Sequence, residues 1–210
     1  MLRKLTLALA WFGMAVTAHA SAIFSDWFNW TTAPALFTTV TSGGTIGSWT
    51  VGGAGVDWIG RYWQPAEGNG SVDLSGLNAG LVTTPLNTVA GQQYVLSFYL
   101  AGNPDGGPAV KSLQVQVGNL TQSFTFDTTG HTKTAMGWIL ESASFMAVGN
   151  DTITFRSQVN TAYGPALDGV TVSTTAASGV PEPATYTLGL FGLMTLTRLF
   201  RRHRRQRTPV

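Results

Sequence analysis

The middle of the chain alternates apolar and polar residues with a period of two, in short runs between residues 90 and 175. The apolar members are Tyr94, Leu96, Phe98 and Leu100; Leu113, Val115 and Val117; Phe124 and Phe126; Ile153 and Phe155; and Val170 and Val172. Because successive side chains of a strand point to opposite faces, this pattern predicts antiparallel strands with one apolar and one polar face. No amphipathic helix is predicted between residues 40 and 175.

Turn-forming residues separate these runs. They include Ala90-Gly91, the Asn103–Pro108 stretch, Thr129-Gly130 and Gly149-Asn150-Asp151. Many short strands joined by glycine-rich turns predict an all-β fold, an antiparallel β-sandwich or jelly roll over residues 46–175. Residues 21–45, which are rich in threonine, serine and aromatic residues, are predicted to form a loop or an edge strand.

The N-terminus has the layout of a secretory signal peptide. Arg3 and Lys4 precede an apolar run, and the small residues Ala18 and Ala20 occupy the positions that signal peptidase reads. We therefore predict a signal peptide over residues 1–20, cleaved after Ala20, and export across the inner membrane. The alternative is an uncleaved membrane anchor, for which the apolar run is short.

The C-terminus combines a proline motif, an apolar stretch and a basic tip. Residues 176–183 are a linker that ends in the motif Val180, Pro181, Glu182 and Pro183. Residues 184–200 predict a short transmembrane helix, about 25 Å long at the helical rise, and residues 201–210 a basic cytoplasmic tail. The arginines that would stop transfer and keep the tail inside are Arg198, Arg201, Arg202, Arg204 and Arg205.

Charge and cysteine content exclude several functions. The twelve basic residues are concentrated at the two ends, and residues 21–179 hold only four of them against nine acidic residues. An acidic domain lacks the basic surface that a nucleic-acid partner requires, so none is predicted. The chain has no cysteine, which excludes disulfides, thiol catalysis and cysteine-ligated metals.

The order of the C-terminal parts resembles the PEP-CTERM sorting signal of Gram-negative bacteria that make extracellular polysaccharide. The resemblance covers residues 180 to about 207. It implies recognition by an exosortase-type transpeptidase, cleavage near the motif, and transfer to the cell envelope, outer surface or extracellular matrix. The membrane anchor would then be transient. The alternative is an ordinary tail-anchor helix.

An ordered set of phrases in the middle of the chain resembles the choice-of-anchor C domain, a relative of galactose-binding-like jelly rolls. The phrases include Val56-Asp57-Trp58-Ile59-Gly60, Trp63-Gln64, Phe98-Tyr99-Leu100-Ala101-Gly102-Asn103-Pro104 and Ala166-Leu167-Asp168-Gly169-Val170. The resemblance spans residues 45 to 173. Related domains often begin with an Asn-Gly-Ser-Phe-Glu strand, which residues 21–45 lack.

Two groups of residues are candidates for binding. Trp58, Tyr62 and Trp63 could stack on sugar rings, and their alternative role is to anchor the core. The galactose-binding-like resemblance implies a structural calcium ion at Asp168, for which Asp73 and Asp57 are candidate companions. The alternative for Asp168 is a turn cap. No other cofactor is predicted.

Catalytic groups are sparse. His131 is the single histidine between the two terminal segments, and no Gly-x-Ser-x-Gly nucleophile motif accompanies it. Glu67, Asp73 and Glu141 could supply carboxylates for glycoside hydrolysis, but no pair stands out. We therefore predict a secreted, non-catalytic envelope or matrix protein whose candidate ligand is extracellular polysaccharide. The alternatives are a secreted carbohydrate-active enzyme and a purely structural envelope component.

Overall fold

A computed structural model describes residues 20–30 and 33–175. The predicted transmembrane helix, sorting motif and basic tail lie outside these residues, as does the predicted signal peptide except for Ala20. Residues 20–30 and 33–175 form two antiparallel sheets and contain no helix. A helix of the length and apolarity needed to span a bilayer is accordingly not found among them.

Thirteen strands make up the described part of the chain. They are β1 (Ala22–Asp26), β2 (Phe37–Val40), β3 (Thr45–Ile46), β4 (Trp49–Gly53), β5 (Val56–Ile59), β6 (Ser71–Asp73), β7 (Gly80–Pro85), β8 (Gln93–Gly102), β9 (Val110–Val117), β10 (Leu120–Asp127), β11 (Ile139–Met146), β12 (Thr152–Ser157) and β13 (Pro165–Thr174). The first sheet has the order β11-β8-β13-β6-β5-β2, and β1 also pairs with β13. The second sheet has the order β10-β9-β12-β7-β4-β3.

The apolar faces of the two sheets pack against each other, which confirms the predicted β-sandwich. Phe98 on β8 of the first sheet makes edge-to-face contacts with Phe124 and Phe155 of the second sheet, at ring-centroid distances of 5.1 and 5.0 Å. Leu96, Leu100, Leu113, Val115, Ile153, Val170 and Val172 are buried in the same core. The apolar residues of the alternating pattern therefore face this core, and the polar residues between them face outward.

The sheets begin before residue 46. Strand β1 pairs with β13 in a register that sets Asp26 opposite Val170, and β2 pairs with β5 at the edge of the first sheet. The segment 21–45, predicted as loop or edge strand, thus supplies β1, β2 and β3. Long-range pairing brings it into the sandwich, and its own residues show no strong alternation.

Candidate functional site

Three loops meet at one end of the sandwich. The first loop (60–70) joins β5 to β6, the second loop (103–109) joins β8 to β9, and the third loop (128–138) joins β10 to β11. The backbone N–H of Gln64 donates to the backbone carbonyl of Lys133 at 2.8 Å. The Trp138 indole N–H donates to the backbone carbonyl of Gln64 at 2.9 Å. The first and third loops are therefore held together by one backbone and one side-chain hydrogen bond, both made by the backbone of Gln64.

The first and third loops line an open cavity of about 430 Å³, which we call the loop cavity. Its polar lining residues are Arg61, Tyr62, Gln64, Asn69, Lys133 and Thr134, and Gly60, Trp63, Pro65 and Gly68 complete the wall. The cavity thus combines an aromatic ring with amide, hydroxyl and cationic groups. A mixture of apolar surface and a few polar groups is typical of small-molecule and sugar sites.

The Tyr62 side chain contacts Asp105, Phe37 and Lys133. Its hydroxyl donates to the Asp105 carboxylate at 2.6 Å, and its ring contacts Phe37 at a centroid distance of 5.0 Å. The Lys133 ammonium lies 4.0 Å from the ring centroid and 3.0 Å from Asp105. Hydrogen bonding to Tyr62 and Asp105 raises the pKa of Lys133, so this side chain remains cationic at neutral pH.

Arg61 adds a second cation to the cavity wall. It is exposed, and the single salt bridge within residues 20–30 and 33–175 joins Lys133 to Asp105. Two of the four basic residues of this acidic domain therefore line one cavity, since Lys111 is buried and Arg156 lies on β12. The Arg61 guanidinium is left available for a ligand.

The predicted aromatic trio is only partly brought together. Trp63 lines the cavity but is only 3% exposed, and its indole N–H donates to Ser71 Oγ at 2.8 Å. Trp58 is half-buried on β5, and its indole nitrogen is buried with no hydrogen-bond partner. Burial therefore gives Trp63 a role in the core, and Trp58 packs partly against the same core and does not line the cavity. Tyr62 alone presents an accessible ring to the cavity.

Asp168 has its carboxylate turned toward backbone donors. Oδ1 accepts the Gly169 N–H at 2.7 Å, and Oδ2 accepts the Ala66 and Glu67 N–H groups at 3.0 and 3.3 Å. Burial raises the pKa of Asp168 to about 7 despite these hydrogen bonds. Asp168 thus links the first loop to β13. It caps backbone N–H groups, as its predicted alternative role requires, but two of them belong to a loop that is distant in sequence.

Asp73 makes a similar set of internal bonds. It is fully buried and accepts N–H groups of Ser75 and Gly164 at 3.0 and 3.1 Å and the Asn103 amide at 2.8 Å. Burial raises its pKa to about 8. The cross-strand partner Asp57 accepts the Thr39 hydroxyl at 2.6 Å, and burial raises its pKa as well.

The three aspartates do not fit a calcium site. Calcium needs six to eight oxygen ligands, whereas the oxygens of Asp168 and Asp73 already face N–H donors. Within the described ranges, no three histidine, aspartate or glutamate side chains are close enough together to hold a metal ion.

Lys111 was not predicted from the sequence to be buried or to hold a loop. Its ammonium is buried and donates to the carbonyls of Gly106 at 2.5 Å and Tyr163 at 2.7 Å, which fixes the second loop. Asp105, on the same loop, was missed as the partner of Tyr62. Lys111 shares its face of β9 with Leu113, Val115 and Val117, so the alternation itself contained a signal for a buried lysine.

The candidate catalytic residues do not converge. Glu67 is exposed on the first loop, whereas Glu141 is on β11 and Asp73 is buried beneath the second loop. The His131 ring nitrogen lies 3.3 Å from the carbonyl of Ala135, its own loop neighbour. None of these four residues lines the loop cavity.

Comparison with known proteins gives a family and several distant relatives. The family model described as "Protein of unknown function (DUF642)" matches residues 28–173. Halomucin from Haloquadratum walsbyi is 29% identical over 161 residues, which are 73% of this chain and 2% of that protein. The chain therefore spans only a small fraction of this curated relative.

Among solved structures, the xylan-binding CBM22-1 domain of Paenibacillus barcinonensis Xyn10C is 16% identical, with a TM-score of 0.48, over 78% of this chain and 100% of that domain. A family 35 carbohydrate-binding module from Clostridium thermocellum is 17% identical, with a TM-score of 0.44, over 66% of this chain and 98% of that module. Similarities this low do not transfer a ligand.

Proposed function

Because the chain belongs to the family described as protein of unknown function DUF642, we propose a function from its own site: the domain is a non-catalytic glycan-binding module that uses the loop cavity. The observation that carries this proposal is the composition of that cavity. Tyr62 supplies an apolar ring surface, while Arg61, Gln64 and Asn69 supply exposed donors and acceptors around it.

This arrangement matches the chemistry of a sugar. A pyranose ring has an apolar face of C–H groups and a rim of hydroxyl groups, which calls for an aromatic surface flanked by polar side chains. The hydrogen bond that Tyr62 donates to Asp105 and the cation–π contact with Lys133 hold its ring in one orientation before a ligand binds. A side chain that is already held in one conformation loses little conformational entropy when a ligand binds.

The test is affinity electrophoresis of the full chain through gels that contain xylan, hydroxyethylcellulose, galactomannan or alginate. We expect at least one polysaccharide to retard the wild type, and Arg61→Ala to weaken that retardation about tenfold. Arg156→Ala is the matched control, since Arg156 is also exposed but lies on β12 away from the cavity. Absence of retardation by all four polymers would contradict glycan binding and favour a purely structural role.

We propose in addition that the chain is secreted through its N-terminal signal, held transiently in the inner membrane by residues 184–200, and sorted by the PEP-CTERM signal to the envelope or extracellular matrix. The order Val180-Pro181-Glu182-Pro183, apolar stretch and arginine cluster supports this. The resemblance to the choice-of-anchor C domain is consistent with such a tail. Deleting residues 180–210 should change the location of the protein in cell fractions, and an unchanged location would contradict the sorting proposal.

A further inference from the structure

A second cavity, of about 340 Å³, lies on the N-terminal segment. We call it the tryptophan cavity, because its wall includes Trp27 and Trp30, with Asn29 and Ser48 as exposed polar neighbours. Trp30 is 40% exposed, although its indole is large and apolar. Exposed apolar surface that is contiguous and rimmed by polar residues is typical of binding sites.

Both indoles lie against glycine backbone. A side chain at Gly47 would overlap the Trp30 ring, and a side chain at Gly169 would overlap the Trp27 ring. Trp27 also contacts Tyr99 at a centroid distance of 6.0 Å. Each ring is therefore supported on one side by the sandwich while part of its surface stays open to solvent.

The turn between the two tryptophans is held in an unusual conformation. Phe28 has φ of 53°, in the left-handed region that residues other than glycine rarely adopt. Its N–H donates to Asp26 Oδ1 at 2.8 Å, and Asp26 Oδ2 accepts the Trp49 indole N–H at 3.1 Å. This turn sends Phe28 into the core and leaves Trp27 and Trp30 outside. Backbone strain of this kind is concentrated at functional sites.

The tryptophan cavity adjoins the loop cavity. Asn29, in the wall of the former, accepts N–H groups of Asn69 at 2.6 Å and Gly70 at 3.0 Å through its side-chain oxygen. Asn69 is in the wall of the loop cavity. The walls of the two cavities are thus joined by a hydrogen bond between two asparagines.

The lining also indicates the charge of the ligand. Among the residues that line the tryptophan cavity, Asp26 is the only charged one, and it is nearly buried with both oxygens accepting hydrogen bonds. The cavity therefore offers two apolar ring faces and neutral polar groups, with no exposed charge. Uncharged sugar rings suit this surface better than uronic acids do.

We propose that the tryptophan cavity is a second glycan subsite, which binds uncharged pyranose rings of the same polysaccharide chain that occupies the loop cavity. This inference rests on the proposed glycan binding of the loop cavity. Contact at two adjacent sites raises the affinity for long chains, because the second contact forms at a high effective concentration. The protein would then favour internal stretches of a polymer over free disaccharides.

The test uses the full chain in the same four polysaccharide gels. Trp30→Ala should weaken retardation about fivefold to tenfold, whereas Trp30→Phe, which keeps an aromatic ring, should retain most of it. Val148→Ala is the control: it removes an exposed apolar side chain beyond the opposite ends of β8 and β11. Thermal unfolding of each variant establishes that it is folded, and protection of tryptophan fluorescence from acrylamide by the polymer gives a second measurement.

The outcomes separate the two proposals. If Arg61→Ala weakens retardation while Trp30→Ala matches the wild type, the second subsite is wrong and the loop cavity stands. If Trp30→Ala weakens it and Arg61→Ala does not, the tryptophan cavity binds glycan by itself, and both the assignment of the loop cavity and the shared-chain proposal are wrong. If no polymer retards the wild type, both are wrong.

Discussion

The Tyr62 hydroxyl donates a 2.6 Å hydrogen bond to the Asp105 carboxylate, which joins two loops whose residues are 43 positions apart in the chain. The same carboxylate oxygen lies 3.0 Å from the Lys133 ammonium on a third loop. Asp105 therefore connects all three loops of the candidate site. Two residues of the cavity wall, Tyr62 and Lys133, are therefore held by one carboxylate that lies outside the wall.

Replacing Tyr62 by phenylalanine tests whether that connection matters for binding. The change keeps the ring but removes the hydrogen bond, whose partly exposed position limits the loss of stability to about 1 kcal/mol. We expect retardation by a polysaccharide that the wild type binds to weaken about threefold, because the ring loses its fixed orientation. Affinity electrophoresis measures this. Binding equal to the wild type would show that the ring needs no support from Asp105.

Trp63 and Tyr62 are adjacent in the chain but have different roles. Trp63→Ala empties a buried position and should lower the free energy of unfolding by about 3–5 kcal/mol. Tyr62→Ala removes a partly exposed ring and should cost much less. Urea unfolding of the two variants gives the comparison. Similar losses in both would contradict the placement of Trp63 in the core.

The buried lysine beneath the second loop should be essential for that loop. Lys111→Met keeps the length of the side chain but leaves the carbonyls of Gly106 and Tyr163 without their donor. Removing one partner of a buried polar network costs about 3 kcal/mol. We expect a lower thermal midpoint and faster amide exchange in residues 103–109. A more stable Lys111→Met variant would contradict this prediction, because it would show that the buried ammonium lowers the free energy of unfolding.

Stability should fall as the pH rises from about 4 to about 8. Burial raises the folded-state pKa of Asp73 to about 8 and of Asp168 to about 7, above the value of about 3.9 for an unfolded aspartate. The folded state therefore binds more protons than the unfolded state in this window, and the stabilisation present below pH 4 is lost as each carboxyl ionises.

Thermal unfolding at pH values between 4.5 and 8 measures this slope. Asp73→Asn should make the dependence of stability on pH shallower, because one of the two titrating carboxyl groups is gone while Asp168 remains. Two neighbouring charges act on Asp73: Asp57 raises its pKa further, and Lys111 lies close enough to couple to it. A stability that increases steadily over this range would contradict the raised pKa values.

Calcium should have no effect on the stability of the domain. The carboxylate oxygens of Asp168 and Asp73 accept backbone and amide N–H groups, which would have to turn away before a cation could bind. We therefore expect thermal midpoints in millimolar calcium and in EDTA to agree closely, with magnesium as the control. A calcium-specific increase would contradict this prediction.

The strands of the core could be predicted from the sequence because burial and strand geometry share one period. Leu96, Phe98 and Leu100 alternate with exposed or half-buried residues, and the structure buries all three. The segment 21–45 could not be read in this way. Strand β1 is defined by its pairing with β13, about 145 residues away, and no local pattern carries that information.

Only part of the candidate site could be predicted from the sequence. Tyr62 was predicted from the sequence as a candidate for sugar stacking, whereas its neighbours Arg61 and Gln64 were not among the predicted site residues. Asp105 and Lys133 were missed because their relation to Tyr62 exists only once three loops converge. Trp63 was grouped with Tyr62 for the same reason: the sequence does not show that one ring points inward and its neighbour outward.

The period of the strands, the positions of the turns and the acidic character of the domain could all be predicted from the amino-acid sequence. These properties depend on local composition, and each can be read without knowing what packs against what. Only long-range contacts show that Asp168 and Asp73 accept N–H groups, that Lys111 is buried, and that Trp27 and Trp30 share a cavity beside Asn69. Those facts depend on contacts between distant residues, which form only when the two sheets close around the core.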